Sequence, residues 1–164
     1  MNPDPDPDPD PDLDLTLDRV IRAPRANVWR AWTDPERFAR WFLPAPSVLK
    51  VDRLDVRPGG ALVTRMSDDG VAFVPHLDAT YLVVDELERI VFTNVLDSSW
   101  RPADAHPVPM SAEITMADHP DGTGYRVVVR HGDPSARAQH EKMGFADGWG
   151  LVTDQLAALA GAER

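Results

Sequence analysis

The sequence predicts an α+β domain in which a curved antiparallel sheet wraps around a long C-terminal helix, with two short helices after the first strand. Three observations predict it. Between Val48 and His131, segments of period-two alternation are separated by tight-turn residues. Two prolines, Pro24 and Pro35, each open a short stretch with apolar residues at helical spacing. After Asp133, apolar residues recur at spacings of four and three, which marks one amphipathic helix.

The elements follow in order. Asn2 to Asp12 alternate Pro with Asp. Proline blocks helix and ladder hydrogen bonds and the aspartates repel one another, so residues 1–12 read as an extended, disordered tail. That tail is either an acidic arm for a basic partner or a solubilising leader. A single domain is expected over 13–164. Leu13, Leu15 and Leu17 alternate with Asp14, Thr16 and Asp18 in a half-buried strand that runs to Ile21. Pro24 starts a helix whose apolar face is Val28, Trp29 and Trp32. Asp34 caps a second helix, Pro35 suits its first turn, and Phe38, Trp41 and Phe42 share one face. Pro44 and Pro46 end it. Strands are expected at Val48–Val56, Ala61–Met66, Val71–Asp85, Arg89–Leu96, Pro109–Met116 and Gly124–His131. Pro58-Gly59-Gly60, Asp68-Asp69-Gly70 and Asp121-Gly122-Thr123-Gly124 carry turn chemistry, and such short connections imply antiparallel neighbours. Ser98 to Pro107 is a longer loop.

Asp133 caps and Pro134 opens the final helix, expected to run to about Ala160. Phe145, Trp149, Val152, Leu156 and Leu159 form its stripe. Gly144 and Gly148 sit one turn apart inside it. Glycine costs about 1 kcal/mol against alanine in a helix, so each needs a reason: close approach of another backbone, room for a ligand, or a kink.

Composition bounds the function. The chain has 164 residues, enough for one real core, and no cysteine, which removes disulfides, thiol nucleophiles and thiolate metal sites. Its formal charge is −10, with Asp4, Asp6, Asp8, Asp10 and Asp12 of the tail contributing. A net acidic body disfavours nucleic acid and anionic membrane surfaces as partners. No run is apolar enough for membrane insertion, and no basic-then-apolar leader opens the chain, so a cytoplasmic location is expected. No pair has metal-site spacing and Gly59-Gly60 lacks a phosphate-loop pattern; no metal and no cofactor are expected. An exposed sheet edge is compatible with a homodimer.

Four segments carry a family resemblance. Arg22 to Glu36 with Trp41-Phe42, Asp55 to Gly60, Asp85 to Thr93, and His140 to Phe145 with Gly148-Trp149-Gly150 resemble the SRPBCC (START-like, helix-grip) superfamily, and within it the activator of heat-shock-protein-90 ATPase homologue type. The resemblance spans about Leu13 to Ala160. It implies a helix-grip fold of the START and Bet v kind, with a cavity under the long helix. Members of the superfamily bind lipids, sterols, polyketides or hormones there, and some are enzymes such as cyclases. The eukaryotic activators contact a chaperone but carry an additional domain for which this chain has no room. Asp85-Glu86-Leu87 departs from the family pattern, which usually has proline before the Glu-Arg pair.

Three side chains are candidates for catalysis. His76 and Asp78 share a strand face by period-two spacing and could form a general base, or a solvent-exposed edge pair. Glu113 lies on the strand face opposite Met110, Ala112, Ile114 and Met116. It is a surface residue if that apolar face packs inward, and a raised-pKa acid if Glu113 itself points into the cavity. His140, one turn before Gly144, could reach a ligand head group or lie partly exposed on the helix. His106, His119 and His131 have no spaced partner. The expected ligand-lining set is Trp32, Trp41, Met66, Phe73, Tyr81, Phe92, His140, Gly144, Phe145 and Trp149, since apolar walls with few polar groups characterise small-molecule pockets. The leading expectation is a module that binds a small hydrophobic molecule without catalysis. The alternatives are a cyclase- or hydrolase-type enzyme using His76, Glu113 or His140, and a chaperone-interaction domain. Filling the cavity through Gly144→Phe is expected to abolish binding and leave the fold intact.

Overall fold

The computed structural model describes residues 8–163; most of the Pro-Asp tail, residues 1–7, lies outside them. The first strand, β1 (Asp14–Ile21), is followed by α1 (Arg25–Thr33) and the one-turn α2 (Pro35–Phe38). Six strands follow: β2 (Val48–Leu54), β3 (Ala61–Ser67), β4 (Val74–Asp85), β5 (Arg89–Thr93), β6 (Ser111–His119) and β7 (Gly122–Arg130). The chain closes with α3 (Pro134–Lys142) and α4 (Phe145–Ala162). All seven strands form one antiparallel sheet in the order β1-β7-β6-β5-β4-β3-β2. The first strand therefore closes on the last, as a long return connection after a meander requires.

The strand pattern seen in the sequence survives with shifts of a few residues at the ends. The turns also stand where glycine marked them. At Gly60 a side chain is excluded outright, because a Cβ there would sit 1.9 Å from the Asp55 carbonyl oxygen. The Trp100 indole covers this turn and donates to the Gly59 carbonyl at 2.8 Å, tying the loop after β5 to the β2–β3 hairpin.

Alternation places Leu15 and Leu17, Ala79 and Tyr81, Ile90 and Phe92, Ala112 and Ile114, and Val127 and Val129 on the concave face, all buried. The helices cover that face. Asp34 caps α2 by accepting from the amides of Glu36 and Arg37. The helix stops at Phe38, earlier than the spacing of Trp41 and Phe42 implied, yet Phe38 and Phe42 still stack at 4.4 Å. Trp32 is the hub of the core: its ring meets Trp41 at 4.8 Å, and its Nε1 donates to the Tyr125 hydroxyl.

The final helix is not continuous. Asp133 caps α3 through the Ala136 amide, but Gly144 takes φ +95° and ends the first segment. That left-handed conformation is one most side chains resist, so the kink explanation holds for Gly144. The chain re-enters helix at Phe145, and α4 rests on α1 and β1 with Phe145, Val152, Leu156 and Ala160 buried against the core. Its far end is fixed by Asn27, whose Nδ2 donates to the carbonyls of Ala160 and Glu163. Among the described residues no helix is long and apolar enough to cross a membrane.

Candidate functional site

Aromatic packing fills the middle of the groove and leaves a hollow at one end. A partly open cavity of about 540 Å³ lies where the α3–α4 junction crosses β3 and β4. This falls within the range of roughly 300–1,000 Å³ usual for small-molecule sites. One wall is helical: His140, Gly144, Phe145, Gly148, Trp149 and Val152. The opposite wall is Met66 from β3 with His76 and Leu77 from β4. Phe42, Leu43 and Pro44 close a third side, and Pro107 and Met110 a fourth. Met143 stands exposed at the mouth. Among the described residues, no carboxylate, Lys or Arg side chain lines the cavity.

The third wall has no regular secondary structure and needs another source of order. Gln155 of α4 supplies it. Its Nε2 donates to the carbonyls of Trp41 and Leu43, and its Oε1 accepts from the Ala45 amide. One side chain thereby satisfies three backbone groups of the segment that carries Phe42. Nothing in the sequence marks Gln155, because an isolated glutamine in a helix carries no pattern.

Gly148 lies at the cavity, and a Cβ built on it meets nothing within 4 Å. Its reason is room. Gly144 also borders open space, but at φ +95° any side chain there is strained, so Gly144→Phe would lose stability besides filling the cavity.

His76 reaches the cavity for a reason that period-two counting misses. The β3–β4 register pairs Thr64 with Leu77 and Arg65 with Pro75, which leaves His76 as the extra residue of a bulge. A bulge re-aims its side chain. His76 turns inward, with Nδ1 2.9 Å from the Thr64 hydroxyl, and burial lowers its pKa. Asp78 points to the other face, where it accepts from the Ser98 amide. The expected His76–Asp78 pair does not form.

Glu113 is neither a cavity acid nor a solvated surface group. Ala112, Ile114 and Met116 face the core, so Glu113 faces outward. It is nevertheless 3% exposed, lying beneath Arg89 and Arg130, which donate to its two carboxylate oxygens at 3.3 and 3.1 Å. This is an ion cluster on the convex face, remote from the cavity.

His140 is buried and joined to His131, for which the sequence offered no partner. His131 Nε2 and His140 Nδ1 are 2.8 Å apart, and His131 Nδ1 lies 2.8 Å from the Leu13 carbonyl oxygen. Burial first, and the neighbouring His131 ring second, push the His140 pKa down to about 4. His140 is thus an uncharged lining group at neutral pH.

Of the ten expected lining residues, Met66, His140, Gly144, Phe145 and Trp149 border the cavity. Trp32, Trp41, Tyr81 and Phe92 do not: each is at most 1% exposed, packed into the solid centre of the groove. Phe73 lies elsewhere, with the Lys50 ammonium 5.8 Å over its ring. Met110, Met143 and Val152 join the wall without having been singled out for it.

Comparison with known proteins places this architecture. Residues 22–161 match the family described as Activator of Hsp90 ATPase homolog 1-like protein. Among solved structures, the chain is similar to a protein from Nitrosomonas europaea, with 37% identity, 92% of this chain and 95% of that chain covered, and a TM-score of 0.81. A protein from Chromobacterium violaceum shares 29% identity over 92% of this chain and 99% of its own, with a TM-score of 0.71. An AHSA1-like protein from Aeromonas hydrophila, 20% identical over 92% of this chain and 93% of its own, shares the fold with a TM-score of 0.68. Among curated proteins none matches the chain. The family match spans nearly all of the domain, and with the grip of the sheet on its terminal helix it shows that the chain belongs to the Activator of Hsp90 ATPase homolog 1-like family.

Proposed function

We propose that the domain binds a small apolar or amphipathic molecule in the cavity between the α3–α4 junction and the β3–β4 hairpin, without covalent chemistry. The observation that carries this reading is the cavity itself: about 540 Å³, walled by aromatic, aliphatic and methionine side chains, with two histidines as its titratable groups. Pockets of this make-up gain affinity from apolar burial and orientation from a few polar atoms.

The alternative of a cyclase- or hydrolase-type enzyme is less well supported. Glu113 faces away from the cavity, Asp78 does not orient His76, and a histidine with a pKa near 4 is a weak general base at neutral pH. The reading is tested by native mass spectrometry of freshly purified protein, together with titration of the uncharged fluorophore N-phenyl-1-naphthylamine. A co-purified small molecule, or saturable one-to-one fluorophore binding, is expected. Protein that carries no ligand and gives only linear, unsaturable fluorescence would overturn it.

A further inference from the structure

The chain Leu13–His131–His140 has a direction. A carbonyl oxygen only accepts, so the 2.8 Å contact to Leu13 requires the proton on Nδ1 of His131. In the uncharged pair, His131 Nε2 is then an acceptor. The 2.8 Å contact to His140 is satisfied only if His140 Nδ1 donates. That leaves His140 Nε2 without a hydrogen, as a lone pair on a residue that lines the cavity. Nε2 has no hydrogen-bond partner among the described residues and is not fully buried. His76 is different. The Thr64 hydroxyl facing its Nδ1 both donates and accepts, so the other ring nitrogen of His76 adopts either role.

We infer that the cavity selects an uncharged amphiphile whose head carries a hydrogen-bond donor, an aliphatic hydroxyl or a phenol, held by the lone pair of His140 Nε2, and that it discriminates against carboxylates. The inference deepens the proposed function and rests on the cavity being a ligand site. A carboxylate is acceptor-only at neutral pH. It has no hydrogen to give the His140 lone pair, and with no Lys or Arg among the described lining residues its charge would exchange its water for at most one neutral N–H, from His76. An alkylammonium head donates, but no carboxylate among the described residues lines the wall to receive its charge. A neutral hydroxyl or phenol meets both conditions.

The experiment has two arms on the full chain. In the first, 1-octanol, methyl octyl ether and octanoate compete with N-phenyl-1-naphthylamine at pH 8. The alcohol is expected to displace the fluorophore at roughly tenfold lower concentration than octanoate, and severalfold lower than the ether, as one net hydrogen bond of about 1 kcal/mol allows. The alcohol–ether gap should close in His140→Phe. Equal competition by alcohol and ether, or preference for octanoate, overturns the donor assignment while the fluorophore still reports an occupied cavity. Absence of any fluorophore binding overturns the cavity reading and this inference with it. The second arm needs neither ligand nor variant: two-bond ¹H–¹⁵N spectra of the histidine rings at pH 8 should place the proton on Nδ1 in both His131 and His140. A proton on Nε2 of His140 overturns the inference outright.

Discussion

His131 and His140 meet across the junction of β7 and α3, with Nε2 2.8 Å from Nδ1 and their ring planes 78° apart. The contact fastens the end of a central strand to the helix that borders the cavity. It also makes the fold sensitive to protons. The His140 pKa falls from the ordinary 6.5 to about 4 on folding, so the unfolded chain binds more protons between those values. The stability contributed is complete above pH 6.5 and is lost as pH falls toward 4. Burial of His76 acts in the same direction. The carboxylates of Asp34 and Asp52 are held below 3.8 by hydrogen bonds and an arginine neighbour each, and that of Asp69 by the amides of Ala72 and Val71 and the Ser67 hydroxyl, so their contribution is lost at lower pH. The urea midpoint should therefore decline between pH 6.5 and 4, and His140→Phe should flatten that part of the curve. An unaltered slope in the variant would show that His140 does not titrate as described.

The two glycines of the terminal segment should respond oppositely to substitution. Gly148→Ala replaces a helical glycine beside open space and should raise stability by up to about 1 kcal/mol. Gly144→Ala forces a Cβ onto a backbone at φ +95° and should cost about 1 kcal/mol. Gly148→Phe should remain folded and lose fluorophore binding, because the new ring enters the cavity. Thermal melts paired with fluorophore titration check all three, and undiminished binding in a folded Gly148→Phe would count against the site.

Gln155→Leu keeps side-chain volume and removes three hydrogen bonds to the 41–45 segment. Stability should fall by about 1–2 kcal/mol. Fluorophore affinity should fall by more than this loss of folded protein explains, because the Phe42 wall loosens. Hydrogen exchange at the Ala45 amide should accelerate; an unchanged rate would mean that Gln155 does not order the wall.

For Glu113→Gln the expectation is the reverse pattern. The substitution leaves Arg89 and Arg130 facing a neutral amide on the convex face, and stability should drop by about 1–3 kcal/mol. Ligand affinity should not change at all. A selective loss of binding in well-folded protein would restore Glu113 as a site residue.

Local chemistry was legible in the sequence and global curvature was not. Asp34-Pro35 and Asp133-Pro134 announce helix starts because a cap acts on amides two or three residues away. Pro58-Gly59-Gly60 announces a hairpin for the same reason. Family resemblance and strand alternation together indicated the helix-grip arrangement. What failed depended on geometry beyond a few residues. Trp32 and Trp149 are the same residue type, yet one fills the core and the other edges the hollow, a difference set by where the sheet bends. The inward turn of His76 depends on a bulge that no spacing rule signals. His131 and His140 are brought together by a strand end and a helix axis, which have no shared period. Gly144 did give warning, since two glycines one turn apart in a long helix ask for a break, and the left-handed backbone supplies one.

The hollow lies beside the aromatic cluster of Trp32, Trp41, Tyr81 and Phe92 and not within it. Chamber and keystone are therefore separate parts of the same molecule. Half-buried wall positions such as Phe42, Met110 and Trp149 can change size, while the packed centre that secures the architecture is left untouched. Substitutions at that end of the groove therefore change the shape of the hollow without disturbing the packing that holds sheet and helix together.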